Sequence, residues 1–130
     1  MLVNGRTVWE EMLNNIWDWS LEFGVMDDAG VVMGAAYKDP NNPDKIYSAH
    51  LVRAREIVGN RLWFLIPGIG TQGGDVEKTV KAGMDSRGQG MIINSSSGII
   101  HASQEDDFAE IARQKTLVLR DTINQFRRTV

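Results

Sequence analysis

A chain of 130 residues with 42% hydrophobic residues has the size and apolar content of one packed domain, which excludes bulk disorder. A net charge of −3 and the lack of any lysine- or arginine-rich run argue against nucleic acid as the main partner, because phosphate-backbone affinity needs a basic footprint. With no cysteine there are no disulfides or thiolate metal sites, and two distant histidines, His50 and His101, offer little for a zinc site or a triad.

The opening residues, MLVNGRTVWEEM, lack the basic stretch and long apolar core of a signal peptide, and no run approaches the ~20 apolar residues of a membrane span. The expectation is a soluble, cytoplasmic protein without a membrane partner. Thr7 and Glu10 form a T-x-x-E capping box, and Val8, Met12, Ile16, Trp19 and Phe23 then recur as one apolar helix face, stopped by Gly24. GVVMGAAY (30–37) is an apolar run without alternation, which predicts a strand covered on both faces. KDPNNPDK (38–45) reads as a turn cluster, with Asp44 capping a second helix over 45–58 that Gly59 closes. RLWFLI (61–66) predicts a second buried strand, and Asp75 caps a helix to about Ala82 with Val76 and Val80 on one face. GMIIN (90–94) predicts a third strand. Ser103 precedes a final helix with Glu105, Asp106 and Asp107 in its first turn and Arg127 and Arg128 near its end, an order that complements the helix dipole. Phe108, Ile111, Ala112, Leu119, Ile123 and Phe126 form its expected buried stripe.

One helix followed by three strand–helix repeats means parallel βα units in a single α/β domain, residues 1–130. Three parallel strands are few: a closed barrel of this kind takes eight, and an open sheet leaves two apolar edges. The chain therefore reads as part of a (β/α)8 barrel that associates with something.

Ligands of βα proteins sit at the carboxyl ends of the strands. There the second strand runs into PGIGTQGGD (67–75), where glycines at 68, 70, 73 and 74 let the backbone approach a ligand closely, ahead of a helix start that favours an anion. Gln72 offers a neutral donor and acceptor. A second loop, NSSSGII (94–100), follows the third strand and presents hydroxyls and the amides around Gly98. Phosphate is the simplest ligand for two such loops; glycine-rich βα turns that serve structure alone, with Gln72 as a plain loop residue, are the competing reading.

The stretches IPGIGTQGGD (66–75) and GMIINSSSGIIHAS (90–103), with GVVMGA (30–35) and DFAEIAR (107–113) in the same order, closely resemble orotidine 5′-phosphate decarboxylase of the longer microbial type. The resemblance covers essentially the whole chain but only the carboxyl-terminal half of that family's (β/α)8 barrel, roughly strands six to eight. It implies a lyase of pyrimidine biosynthesis that converts orotidine 5′-monophosphate to uridine 5′-monophosphate without cofactor or metal, through a Lys–Asp–Lys–Asp network carried partly by a D-x-K-x-x-D motif. That motif is missing here, since Asp39, Asp44 and Asp75 each lack the lysine two positions on. No catalytic residue is therefore assigned in this chain. By resemblance, Pro67 and Gly68 match the strand-end turn, Gln72 the glutamine that contacts phosphate and pyrimidine, and Ser97 and Gly98 the second phosphate loop. Together with Gly73 and Gly74 these are the expected substrate- and phosphate-binding residues. The family usually has arginine where Ser97 stands. Loss of that charge-assisted contact, worth about 1.5–3 kcal/mol, would weaken phosphate binding about tenfold to a hundredfold.

Three readings follow. The first is the carboxyl-terminal part of a decarboxylase, binding orotidine or uridine 5′-monophosphate and active with an amino-terminal half-barrel. The second is a non-enzymatic half-barrel that self-associates and keeps a weak phosphate site, a reading favoured by Ser97. The third is another phosphate-binding barrel enzyme such as a sugar-phosphate decarboxylase, against which the TQGGD context argues. The family's dimers and the open sheet edges both predict a homo-oligomer or a complementing half. Trp9, Trp17, Trp19 and Trp63 are expected as core or interface fillers. His101, which stands where the family often has tyrosine, is expected as a structural histidine, Lys38 as a solvated turn residue, and Lys78 and Lys81 as exposed helix residues. Arg87 is the cation nearest in sequence to the second loop.

Overall fold

The computed structural model describes residues 2–3, 5–70 and 74–127. A short antiparallel pair, β1 (Leu2–Val3) and β2 (Arg6–Thr7), leads into α1 (Val8–Glu22). The capping box forms as expected: the Glu10 carboxylate accepts from both the amide and the hydroxyl of Thr7, each at 2.8 Å. The buried face of α1 differs from the expected one. Leu13 and Ser20 are buried with Ile16 and Trp17 packed against the core, whereas Val8, Met12, Trp19 and Phe23 are exposed. The helix carries apolar side chains on two faces, and the face that meets the next helix is the one that packs.

The first parallel strand, β3 (Gly30–Val32), is followed by a hairpin of β4 (Tyr37–Asp39) and β5 (Asn42–Tyr47). Residues expected as an open turn cluster are thus paired, with Tyr37 opposite Tyr47 and Lys38 opposite Ile46. Asp39 closes the tip by accepting from the Asn41 amide at 2.9 Å and the Tyr47 hydroxyl at 2.8 Å. Because strand pairing holds residues 44–47 extended, α2 starts later than expected: it spans Ala49–Val58 with Ser48, not Asp44, at its N-cap. Gly59 ends it as expected, at φ 57° with its amide donating to the Arg55 carbonyl at 2.7 Å. Then come β6 (Trp63–Ile66), α3 (Val76–Gly83), β7 (Met91–Ile93), a single turn α4 (Ser96–Ile99) and α5 (Phe108–Phe126). Asp75 caps α3 as expected, accepting from the Lys78 amide at 2.7 Å.

The three parallel strands lie in the order β3–β6–β7, and the register places Val32, Leu65 and Ile92 in one row. Phe64 and Ile66 point to the opposite face, into a core with Leu51, Ala54, Val58 and Leu62. Helices cover that face alone. The row Val32, Leu65 and Ile92 is 67%, 39% and 55% exposed, and with Trp63 it lines an open hollow of about 550 Å³. The expectation of strands covered on both faces is corrected here: the apolar runs have one face that nothing in this chain's described residues covers. The last helix also packs more lightly than expected. None of its residues is buried, Phe108 is exposed, and Ile111, Ala112, Leu119, Ile123 and Phe126 are half-buried. It begins after Asp107, so Glu105 and Asp106 precede the helix and Glu110 is the acid in its first turn; Arg127 is its C-cap, and Arg128 lies outside the described residues.

At the amino ends of the strands, Arg55 holds the arc together. Its guanidinium donates to the carbonyls of Gly83 (2.9 Å), Gly59 (2.8 Å), Leu62 (3.0 Å) and Gly90 (2.9 Å), and it lies 3.8 Å from the centroid of the Phe64 ring. Burial pushes its pKa down to about 10, with the charge of Asp85 opposing that shift. Asp85 is itself buried. Burial raises its carboxyl, but the amides of Gln89 and Arg87 and the Arg87 guanidinium more than offset this and leave it below the ordinary value.

Candidate functional site

Parallel strands deliver their following loops to one edge. The hairpin after β3, the glycine loop after β6 and the serine turn after β7 therefore meet at the carboxyl ends, where βα proteins hold ligands. Pro67 and Gly68 stand at the centre. The Pro67 carbonyl accepts from the Ala35 amide at 3.1 Å, which carries the β3–β6 pairing into the loop, and Gly68 sits at φ 100°, a conformation other residues rarely adopt.

Gly74 returns the loop to within reach of Gly68. Its amide donates to the Gly68 carbonyl at 3.1 Å, and a Cβ at this position would run into that same carbonyl oxygen. The Gly74 amide thus has its partner within the loop, and the residue allows the close approach expected of it. Asp75 then donates its amide to the Ala36 carbonyl at 2.8 Å, and the buried Thr79 hydroxyl accepts from the Ala36 amide at 2.9 Å. Ala36 is thus gripped from both its polar groups by the start of α3. Gln72 and Gly73, two of the expected ligand contacts, lie outside the described residues.

Ser95 links the glycine loop to the serine turn. Although it occupies the N-cap of α4, its hydroxyl donates to the Ile69 carbonyl at 3.0 Å and does not cap the turn. Gly98 packs closely on it, since a Cβ there would lie 2.6 Å from the Ser95 oxygen. Between the loops is a polar cleft of about 150 Å³ lined by Pro67, Gly68, Ile69, Asn94 and the three serines 95, 96 and 97. The structure therefore brings Pro67, Gly68, Gly74, Ser97 and Gly98 to one edge, with Ser97 exposed at the lip.

The other polar candidates lie elsewhere. Arg87 precedes β7 at the opposite end of the sheet, where it pairs with Asp85 at 2.8 Å. Lys38 is exposed on β4, His101 is exposed beyond α4, and Lys81 pairs with Glu77 on the outer side of α3 at 2.5 Å. Among the described residues, no group of three or more His, Asp or Glu is placed to hold a metal, and no helix is long and apolar enough to cross a membrane. Trp9, Trp19 and Trp63 are partly exposed and do not build the core; Trp17 is half-buried with the Arg61 guanidinium 5.1 Å from its ring.

Sequence reasoning passed over Thr79 and the inward bond of Ser95. Each hydroxyl lies inside a run already explained by other residues, and what it bonds is distant in sequence. It also passed over Tyr37, which faces a second hollow beside the cleft.

No family model matches the sequence. The chain is 42% identical over 127 residues to the orotidine 5′-phosphate decarboxylase of Ralstonia pickettii, an alignment covering 95% of this chain and 41% of the relative. It is 50% identical over 98 residues to the enzyme of that name from Cupriavidus taiwanensis, covering 75% of this chain and 32% of the relative. Among solved structures, UMP synthase of Leishmania donovani superposes with a TM-score of 0.69 at 29% identity, over 98% of this chain and 24% of that one. Its fold is accordingly part of a (β/α)8 barrel. The chain is thus similar over most of its length to part of orotidine 5′-phosphate decarboxylases, and it spans about two fifths or less of the length of the curated relatives it matches.

Proposed function

We propose that this chain is the phosphate-gripping, carboxyl-terminal portion of an orotidine 5′-phosphate decarboxylase barrel, acting in the cytoplasm in the conversion of orotidine 5′-monophosphate to uridine 5′-monophosphate. The observation that carries this reading is the polar cleft between the glycine loop and the serine turn. It lies at the carboxyl ends of two adjacent parallel strands, in a chain whose sequence is similar to part of such decarboxylases.

In this reading the 5′-phosphate lies in the cleft. The backbone of Pro67 and Gly68 and the turn at Ser97 and Gly98 flank it, and Gln72 and Gly73 are further contacts that the family resemblance implies. The glycines permit backbone approach, and the hydroxyls of Ser96 and Ser97 supply short neutral donors, while Ser95 spends its proton on the Ile69 carbonyl. The grip is weaker than in relatives that carry arginine at the Ser97 position. Proton transfer and carbanion stabilisation call for a lysine–carboxylate network, and the D-x-K-x-x-D motif that carries part of it is absent from this sequence. The chain alone is then inactive, and an amino-terminal half-barrel supplies the chemistry.

A second reading is favoured by the open apolar row of Val32, Leu65 and Ile92 and by Ser97: two or more copies cover these faces for one another and retain a weak phosphate site without catalysis. The deciding measurement is decarboxylation of orotidine 5′-monophosphate, followed in its ultraviolet band, with and without an added amino-terminal half. Activity with the added half alone supports the first reading. Inactivity of a demonstrated assembly of the halves supports the second, and activity of the chain by itself refutes both.

A further inference from the structure

The hairpin β4–β5 rises beside Pro67 and Gly68, and its first residue faces the ligand edge. Tyr37, 49% exposed, lines a hollow of about 250 Å³ together with Gly34, Ala35, Pro67, Gly68 and Gly74. This hollow shares Pro67 and Gly68 with the serine-lined cleft, so the two are neighbouring compartments on either side of one turn. Their chemistry differs. One is lined by asparagine and serine side chains; the other carries no charged side chain, and its one large side chain is the Tyr37 ring.

That ring is held in place. Tyr37 pairs with Tyr47 across the hairpin, and their ring centroids are 5.2 Å apart. The His50 ring centroid is 6.3 Å from that of Tyr37, and its Nε2 bonds to the Gly34 carbonyl at 2.8 Å. The Tyr47 hydroxyl donates to Asp39, and Tyr37 also bridges to Gly74 in the glycine loop. An aromatic surface fixed from several sides contributes contact area with little rotamer entropy left to lose, and it takes a flat ring of any edge pattern.

We propose that Tyr37 is a specificity-determining residue of this site: its ring forms the wall against which the planar base of a nucleoside monophosphate rests while the phosphate occupies the serine cleft. The proposal rests on the phosphate reading above and adds to it the residue that separates a nucleotide from a bare sugar phosphate.

The test is calorimetric titration of the purified chain with uridine 5′-monophosphate, ribose 5-phosphate and inorganic phosphate. The wild-type chain is expected to bind the nucleotide more tightly than ribose 5-phosphate. Tyr37→Ala and Tyr37→Leu should each lower nucleotide affinity about tenfold, the scale of one base–aromatic contact, with a much smaller effect on ribose 5-phosphate. Tyr37→Phe should retain the wild-type preference, because the ring and not the hydroxyl makes the contact. Equal affinity of the wild-type chain for nucleotide and ribose 5-phosphate, equal losses for both ligands on substitution, or full nucleotide affinity in Tyr37→Leu would each overturn the role of Tyr37 and leave the phosphate reading standing. A folded chain, checked by circular dichroism, that binds none of the three ligands overturns both.

Discussion

Replacing Gly74 by alanine tests whether close approach, rather than loop flexibility, is what the glycine loop needs at this position. The added Cβ meets the Gly68 carbonyl oxygen head-on, comes within 2.9 Å of the Gly68 carbonyl carbon and reaches 3.2 Å from the Ala35 Cβ. Gly68 has little freedom to retreat, because its φ of 100° and the preceding Pro67 pairing to Ala35 fix it from both sides. The loop strands must separate, and two hydrogen bonds go with them: Gly74 to Gly68 at 3.1 Å and Asp75 to Ala36 at 2.8 Å. At about 1 kcal/mol net for each bond, the loss is about 2 kcal/mol, roughly a 30-fold shift of the folding equilibrium. Gly34 provides the control, since a Cβ there meets nothing within 4 Å, and Gly34→Ala should be neutral or stabilise by up to about 1 kcal/mol through the unfolded chain. Urea unfolding followed by tryptophan fluorescence reads both variants. Unchanged stability of Gly74→Ala, or equal destabilisation of the two variants, would refute the steric argument.

Arg55→Met removes four carbonyl contacts but keeps apolar bulk near Phe64; a loss of about 3 kcal/mol is expected from hydrogen bonds of this kind, and urea titration showing less than half of that would mean the carbonyls are satisfied another way. Ser97→Arg should raise phosphate affinity about tenfold to a hundredfold and steepen its salt dependence; calorimetry in low and high salt checks this, and no gain would place the phosphate away from the serine turn. Acid stability turns on Glu10, whose carboxyl is held at about 2, below its ordinary 4.5, first by Arg53 and then by the amide and hydroxyl of Thr7. Because the folded-state value is the lower one, its stabilisation is full above about pH 4.5 and fades as the pH falls through about 2. Glu10→Gln should therefore flatten the decline of the thermal midpoint across that window, and parallel curves for the two proteins would rule the residue out as the cause.

The repeating βα order and the caps at Thr7 and Asp75 were legible because each depends on residues a few positions apart. So was the gathering of the glycine and serine loops at one edge of the sheet, which follows from strand polarity alone. The hairpin was misread because prolines and asparagines mark turns whether or not the flanking residues pair, and the Tyr37–Tyr47 pairing that extends residues 44–47 leaves no periodic signal in so short a run. The face of α1 was misread except at Ile16, because Val8, Met12, Ile16, Trp19 and Phe23 satisfy helical spacing as well as Leu13, Ile16 and Trp17 do. Only the position of α2, to which Arg53 ties Glu10 at 2.8 Å, decides between them. The internal partners of Ser95, Thr79 and Gly74 were out of reach for a different reason. Each bond joins segments brought together by the sheet, and the donor or acceptor on the far side is a backbone group that no side-chain pattern announces.

An apolar strand run reports that a strand is buried, but it cannot say by what. Phe64 and Ile66 are covered by this chain's own helices, whereas Val32, Leu65 and Ile92 carry the same hydrophobic character on the open face. In a closed barrel that face looks onto the other strands, and under the proposed function those strands also bring the lysine–carboxylate network. Cover for the apolar row and completion of the chemistry then arrive in one event, so complementation by an amino-terminal half should raise stability and activity together. A second copy of this chain covers the same row without bringing any proton-transfer group, and it should raise stability alone. The two readings of the molecule thus differ in whether stability and catalysis rise together, a coupling that follows from the exposed row and the missing motif taken together.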